Sequence, residues 1–100
     1  MIQAQLNLPK FTNNGKSTRK TLQQLEVEFC ELLGGITTHS GIGKWLNKGK
    51  IYNDKINIYQ VAIQPSKKKL FIKLSKKYGK LTKQLAIYVI INNKVSIINI

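Results

Sequence analysis

Apolar and polar residues alternate along the first positions of the chain. In "MIQAQLNLP", every second residue from Ile2 to Leu8 is apolar, Gln and Asn lie between them, and Pro9 ends the run. A period of two is typical of a strand that buries one face. The pattern therefore predicts a half-buried first strand.

Two longer stretches carry apolar residues at helical spacing. The first, residues 21–33, follows the turn-rich "TNNGKST", where Ser17 or Thr18 can cap a helix. It ends at Gly34 and Gly35, because glycine accepts the left-handed conformation found just past a helix. The second lies in "SKKKLFIKLSKKYGKL", after Pro65. The apolar stripes are Leu22, Leu25, Phe29, Leu32 and Leu33 in the first and Leu70, Phe71, Leu74, Tyr78 and Leu81 in the second.

The remaining segments predict strands. One runs from about Ile36 to Leu46, a turn follows at "NKGK", and the next strand is clearest in "KINIYQVAIQ". The segment 85–91 is apolar on both faces. After it, "NN" is a type I′ hairpin signal, and "KVSIINI" is a short last strand or a tail.

The order strand, helix, strand, strand, helix, strand predicts one α+β domain over residues 1–100. Two helices with one apolar stripe each are both buried only on one face of a sheet, which gives the ferredoxin-like βαββαβ sandwich with an antiparallel sheet. The C-terminal segment would add an extra strand. Because the other face of the sheet would stay bare, we expect a homodimer or higher homo-oligomer that packs through this face or the last strand.

The net charge of the chain indicates what kind of partner it binds. Seventeen Lys and Arg residues oppose four Asp and Glu residues, for a net charge of +13. A polyanion, either a nucleotide or a nucleic acid, is the expected partner, while solubility, compositional drift and an anionic membrane surface are the alternatives. The first residues do not have the pattern expected of a secretory signal, and the longest apolar run is too short to span a bilayer. We therefore expect a cytoplasmic protein without a membrane partner.

The "NKGK" hairpin is the first candidate site. A four-residue loop makes Trp45 oppose Tyr52, with Lys44, Lys48 and Lys50 around them. Stacking aromatics beside phosphate-holding lysines are what nucleotide binding requires. The alternative is that the two rings only lock the hairpin or enter the core.

Next to this hairpin, Gly41 and Gly43 interrupt the preceding strand. They indicate a bend or bulge, or bare backbone that a ligand can approach closely. His39, the only histidine, is interpreted either as a strand residue or as a side chain that orients the ligand.

The second helix carries eight lysines without an acidic residue between positions 67 and 83. Lys67, Lys68 and Lys69 crowd its first turn, where the helix dipole disfavours cations, so this end would suit a bound anion. A solvated charged face is the alternative.

Catalytic motifs are absent from the sequence. The Gly-Lys pairs lack the upstream glycine of a phosphate-binding loop, and "GIG" lacks the third glycine of a dinucleotide fingerprint. A lone His39 cannot form a multi-histidine metal site, and Cys30 is interpreted as a small buried filler. We therefore predict no catalytic residue, no metal and no cofactor, with a metal-free nuclease using His39 and lysines as an open alternative.

The spacing "LLGGIT…GIGKW…GKIY…IYQVAI", over residues 32–63, resembles small uncharacterised proteins of bacterial and phage genomes with a ferredoxin-like fold. The matched residues are Gly34, Gly35, Thr37, Gly43, Trp45, Gly49, Tyr52 and Tyr59. The resemblance carries no catalytic assignment. It implies a stand-alone accessory protein, by analogy with phage proteins that sequester nucleotide immune signals for immune evasion.

Together these observations predict a non-enzymatic binder of a phosphate-bearing nucleotide, most concretely a protein that sequesters a cyclic or short oligonucleotide signal. A DNA- or RNA-binding module acting through the lysine-rich second helix is one alternative, and an oligomeric adaptor or structural protein with incidental charge is the other. The predicted ligand-binding residues are His39, Gly41, Gly43, Lys44, Trp45, Lys48, Lys50, Tyr52, Lys67, Lys68 and Lys69.

Overall fold

The computed structural model describes residues 1–100, which form a five-stranded sheet and two α-helices. The elements are β1 (Ile2–Pro9), α1 (Arg19–Leu33), β2 (Thr37–Asn47), β3 (Lys50–Ile63), a 3-10 turn (Pro65–Lys67), α2 (Lys68–Leu81), β4 (Ala86–Ile91) and β5 (Lys94–Asn99). The strands lie in the order β2-β3-β1-β4-β5, and all neighbours are antiparallel. The predicted ferredoxin-like fold is confirmed, with the C-terminal segment as a fifth strand at one edge.

The residues that the sheet contributes to the core follow from the period-two pattern of the central strand, β1. Ala4, Leu6 and Leu8 of β1 are all buried. The register places Leu6 between Tyr59 of β3 and Val89 of β4, so three neighbouring strands contribute side chains to the same buried layer. Alternation along one strand thus fixes which face meets the helices.

The helices pack against each other through aromatic side chains, and α2 packs closely on the sheet at a glycine. Phe29 of α1 contacts Phe71 and Tyr78 of α2 edge to face, with ring centroids 6.1 and 6.2 Å apart. At Gly79 of α2, an added β-carbon would overlap the side chains of Ile87 and Ile100. A glycine at this position therefore lets the helix lie directly on β4 and the end of the chain.

The predicted turns form as their sequences indicate. Gly34 ends α1 with φ +90°. Asn92 and Asn93 both have positive φ, 51° and 68°, as a type I′ hairpin requires. In the β2–β3 hairpin the two turn residues are Lys48 and Gly49, with φ of 51° and 77°.

The predicted bulge in β2 is absent, because the strand pairs with β3 residue by residue from Thr37 to Asn47. At Gly41, an added β-carbon would lie 3.2 Å from the side chain of Ile58 and 3.5 Å from that of Ile56. The glycine thus makes room for two isoleucines of β3 instead of kinking the strand.

β2 and β3 continue beyond the end of β1 as a two-stranded hairpin, which we call the arm (residues 42–55). β1 pairs with β3 only as far as Pro9 opposite Ile56. The sheet face opposite the helices, which we call the open face, carries exposed apolar residues of β4 and β5, Tyr88, Val95 and Ile97. Neither helix is long and apolar enough to cross a membrane.

Candidate functional site

A cavity of about 350 Å³ opens between the β1–α1 loop, the first turns of α1 and β3; we call it the loop cavity. Its lining residues are Lys10, Phe11, Ser17, Thr18, Arg19, Leu22, Gln23, Glu26, Asn57 and Tyr59. The cavity is therefore lined both by residues near the start of the chain and by residues in the middle of β3.

Backbone and side-chain bonds anchor the loop on both sides of this cavity. The Lys10 N–H donates to the Lys55 carbonyl at 2.9 Å, and the Thr18 N–H donates to the Lys10 carbonyl at 3.0 Å. The Thr18 hydroxyl also donates to the Pro9 carbonyl at 2.8 Å. Thr18 is buried, so these bonds hold the start of α1 against the end of β1.

The side chains around the loop cavity combine three kinds of chemistry. Arg19 is the only arginine of the chain, and Glu26 is the only acidic residue that lines the cavity. Phe11 presents an aromatic ring that is 48% exposed. Burial, and secondarily the negative charge of Glu26, raises the pKa of the Tyr59 hydroxyl, which therefore stays a neutral hydrogen-bonding group. This set can hold a ligand that has a carboxylate, a cationic group and a flat ring.

The arm contains the aromatic pair that the sequence predicted. Trp45 and Tyr52 are register partners, as predicted, and their rings stack with centroids 4.6 Å apart. The Trp45 indole N–H donates to Asp54 Oδ2 at 3.0 Å, and Lys50 Nζ lies 5.2 Å from the centre of the Tyr52 ring. The two rings therefore cover each other on one face, and both residues stay partly exposed.

His39 belongs to a row of polar side chains on the open face. Its Nε2 lies 3.1 Å from Gln60 Oε1, Gln60 donates to Gln5 Oε1 at 3.0 Å, and Gln5 donates to Asn7 Oδ1 at 3.0 Å. The row crosses β2, β3 and β1 and connects His39 to neighbouring strands.

The predicted site residues form two separate groups within one chain. β2 and the arm bring together His39, Gly41, Gly43, Lys44, Trp45, Lys48, Lys50 and Tyr52. The other group, Lys67 to Lys69, follows the opposite end of the 14-residue β3. That strand is roughly 43 Å long at about 3.3 Å per residue. In addition, Lys67 Nζ donates to the Leu32 carbonyl at 2.9 Å, at the end of α1. Ligand binding at these residues stays a prediction.

None of the predicted site residues lines the loop cavity. "TNNGKST" was interpreted only as a turn with a helix cap at Ser17 or Thr18, although the single arginine of a lysine-rich chain directly follows it. Cys30 is a further correction, because its side chain is exposed instead of buried. Position 30 follows the buried Phe29, but the helix turns it away from the core.

The metal-ligating residue types do not gather in the chain. No group of three or more His, Cys, Asp and Glu side chains lies close enough together to hold a metal ion.

The solved structures of a phage SAM lyase are similar to this chain. Its apo state has a TM-score of 0.72 at 11% identity, and its complex with S-methyl-5′-thioadenosine has a TM-score of 0.66 at the same identity; both cover 99% of this chain and 89% of that chain. The divalent cation tolerance protein Cut A1 from Thermus thermophilus has a TM-score of 0.60 at 12% identity, over 91% of this chain and 82% of that chain. No protein-family model and no curated protein sequence matches the chain.

Likeness at this identity establishes the fold, and it corrects two predictions. The prediction of a non-enzymatic nucleotide-sequestering protein is contradicted, because a lyase has this fold over almost the whole chain. The prediction that the chain is not an enzyme is wrong on the same ground. The prediction of no enzyme rested on the absence of phosphate-loop, dinucleotide and metal-binding motifs, and a reaction that needs none of these groups can occur without them. The resemblance to a small phage protein is supported at the level of the fold.

Proposed function

We propose that the chain is a lyase of S-adenosylmethionine or a closely related sulfonium nucleoside, and that it acts in the loop cavity. The observation that carries the proposal is the meeting of Arg19, Glu26 and Phe11 in one cavity of a fold shared with a phage SAM lyase. The volume of about 350 Å³ lies in the range of about 300–1,000 Å³ that small-ligand sites occupy.

The charges of the loop cavity complement those of this substrate. S-adenosylmethionine carries a carboxylate, an ammonium, a positive sulfonium and an adenine ring. The Arg19 guanidinium can bind the carboxylate with two parallel N–H bonds. Glu26 attracts the ammonium or the sulfonium, and Phe11 offers a face on which the adenine can stack.

The reaction needs no proton transfer. Release of a methylthioadenosine requires the bond between sulfur and the γ-carbon of the amino-acid part to break. A lyase adds no water, so the substrate's own carboxylate can attack this carbon. The electron pair of the broken bond returns to sulfur, giving a neutral thioether and an aminolactone that keeps the ammonium charge. Atoms and charges balance between one substrate and two products.

For such a step, the protein contributes mainly by positioning. Arg19 orients the carboxylate towards the γ-carbon, and Glu26 holds the ammonium so that the chain stays folded back on itself. Holding reacting groups within the substrate in such a geometry removes much of the entropic barrier. The buried Tyr59 and Leu22 keep water from part of the reacting region, which leaves the attacking carboxylate less solvated.

A cation-tolerance role like that named for Cut A1 is not proposed. The chain carries a net charge of +13 and has only four acidic residues, and no three of its metal-ligating side chains lie close enough together to hold an ion. Its own field repels divalent cations.

The test is incubation of the purified protein with S-adenosylmethionine, followed by chromatography with mass detection of methylthioadenosine and the aminolactone. We expect both products in equal amounts, and Glu26→Gln should reduce their formation. Glu31→Gln is the matched control, since it removes the same charge from α1 outside the cavity. Absence of both products with the folded protein would overturn the proposed function, whereas equal activity of both variants would overturn only the site.

We also propose that the chain forms a homodimer or a higher homo-oligomer and acts in the cytoplasm, in the host cell if it is phage-encoded. The support for assembly is the exposed apolar surface of Tyr88, Val95 and Ile97 on the open face, together with Ile42 and Leu46 on the arm. Light scattering coupled to size exclusion measures the mass, and a monomeric mass at working concentration would contradict the assembly.

A further inference from the structure

Four lysines form a straight stripe along the exposed side of α2; we call it the lysine stripe. Lys69, Lys73, Lys76 and Lys80 are four, three and four residues apart, and all are exposed. Residues with this spacing lie on one face of a helix. At 1.5 Å per residue the stripe is roughly 16.5 Å long.

Two neighbouring lysines have partners in the chain, but the stripe has none. Lys77 forms the one ion pair of the molecule, with Glu28 at 2.8 Å, and Lys67 donates to the Leu32 carbonyl. The lysine stripe takes part in no side-chain hydrogen bond or ion pair. Its charges are therefore available to another molecule.

This arrangement is unfavourable for the isolated chain. Like charges three and four residues apart on a helix repel each other. The first turn of α2 contains no acidic residue, so nothing there offsets the unfavourable placement of Lys68 and Lys69 at the positive end of the helix dipole. Solubility alone is served better by mixed signs. An acidic surface laid on the stripe would offset these repulsions.

We propose that the lysine stripe is the docking surface for an acidic helix of a different protein, with carboxylates at the same four-three-four spacing. A helix parallel to α2 repeats the mean spacing of about 5.5 Å between successive lysines and can match all four. On an extended segment, side chains of one face are about 6.6–6.8 Å apart and fall out of step with the stripe.

The chemistry of the stripe favours an acidic helix of another protein over a nucleic acid and over a second copy of this chain. Stacking aromatics and the forked hydrogen bonding of arginine give nucleic-acid sites their contacts to bases and their bidentate contacts to phosphates, and the stripe has neither, so a nucleic acid would be held there only through its phosphate charges. The aromatic Tyr78 of the same helix is buried. A second copy of this chain offers only Glu26, Glu28 and Glu31 on its α1 while bringing a further charge of +13.

The test uses two labelled helical peptides of equal composition, one with glutamates at the four-three-four spacing and one with the same residues scrambled. Fluorescence anisotropy should show tighter binding of the spaced peptide, and salt should weaken it. Replacing Lys69, Lys73, Lys76 and Lys80 together by Gln should weaken its binding roughly tenfold or more, since several exposed ion pairs are lost. The same change at Lys44, Lys48, Lys50 and Lys55 of the arm lowers the net charge equally and is the matched control.

Three outcomes would overturn this inference: equal binding of both peptides, equal weakening by both sets of substitutions, and tighter binding of single- or double-stranded oligonucleotides than of the spaced peptide. Circular dichroism checks that both variants stay folded. Cleavage of S-adenosylmethionine should be unchanged in the stripe variant, because the stripe lies outside the loop cavity.

Discussion

Trp45 and Tyr52 stack across the arm with ring centroids 4.6 Å apart and planes inclined by 18°. They lie where β2 and β3 have no third strand beside them. Cross-strand aromatic pairs stabilise two-stranded segments of this kind. The hydrogen bond from the Trp45 indole to Asp54 is a second side-chain contact between the two strands of the arm. The conformation of the arm is therefore stabilised by its own side chains and not by packing against the core.

Trp45→Ala should loosen the arm while the core stays intact. Loss of an aromatic pair costs about 0.5–1.5 kcal/mol beyond the buried area, and here the cost falls on a local segment. We expect faster amide hydrogen exchange in residues 42–55 and unchanged exchange in β1. Tyr52→Phe keeps the stacked ring and is the control. Unchanged exchange in the arm of Trp45→Ala would contradict the role given to the stack.

Gly79→Ala should destabilise the whole fold. The added methyl group would overlap the side chains of Ile87 and Ile100, and overpacking of this kind costs about 1–3 kcal/mol. Urea unfolding measures the change. Ser75→Ala, one turn earlier on the same helix, is the control: its buried hydroxyl has no hydrogen-bond partner, so its removal should be neutral or stabilising. Equal effects of the two substitutions would contradict the close packing at Gly79.

Stability should fall in alkaline solution because of buried tyrosines. Burial, helped by the nearby Glu28 carboxylate, raises the pKa of Tyr78 from 10.0 to about 12. Between these two values the unfolded chain loses the proton that the folded chain keeps, so stability decreases as the pH rises. Tyr78→Phe should flatten this decrease, as measured by the urea midpoint on both sides of pH 10. Tyr88→Phe on the open face is the control, and an equal flattening would contradict the assignment.

The Glu28–Lys77 pair predicts an opposite dependence in acid. The hydrogen bond from Lys77 lowers the pKa of the Glu28 carboxyl below its ordinary value of 4.5. The pair therefore stabilises the fold above that value, and its contribution is lost as the pH falls through the lowered pKa. Glu28→Gln should lower the melting temperature slightly at neutral pH and leave it unchanged in strong acid. A difference that persists in strong acid would show that packing, and not charge, is responsible.

If the loop cavity cleaves S-adenosylmethionine, Arg19→Gln should reduce kcat/KM roughly tenfold or more, because a charge-assisted bond to the carboxylate is lost. Lys20→Gln, at the neighbouring position but outside the cavity lining, removes the same charge and should have little effect. Steady-state product formation measures both, and a larger effect of the Lys20 substitution would place the substrate elsewhere.

The fold was predictable because its signals are local. The alternation from Ile2 to Leu8 depends on neighbouring residues only, and so does the register that opposes Trp45 to Tyr52 across a short turn. The loop cavity depends instead on Arg19 and Tyr59, which only the sheet topology brings together. No periodicity within one segment can show such a meeting.

Other local sequence patterns are compatible with more than one structural role. A glycine such as Gly41 can mark a bulge or leave space for a neighbouring side chain. Here it leaves space, because the side chain of Ile58 on the adjacent strand lies against it. Lys67 belongs to a run of three lysines in the sequence, but the end of α1 supplies the carbonyl that its ammonium group contacts. In both cases the residue contacts a part of the chain that is distant in sequence, and the local pattern does not show that contact.

The arm also gives the molecule a site of preferential proteolysis. A two-stranded ribbon opens locally at less cost than the sheet it grows from, and exposed tips are where proteases cut first. Lys44, Lys48 and Lys50 supply trypsin with three exposed cleavage points within seven residues. Free chains should therefore be nicked there before the core is touched. Any assembly that covers the arm would slow that cut, so the rate of nicking measures how much of the arm is engaged.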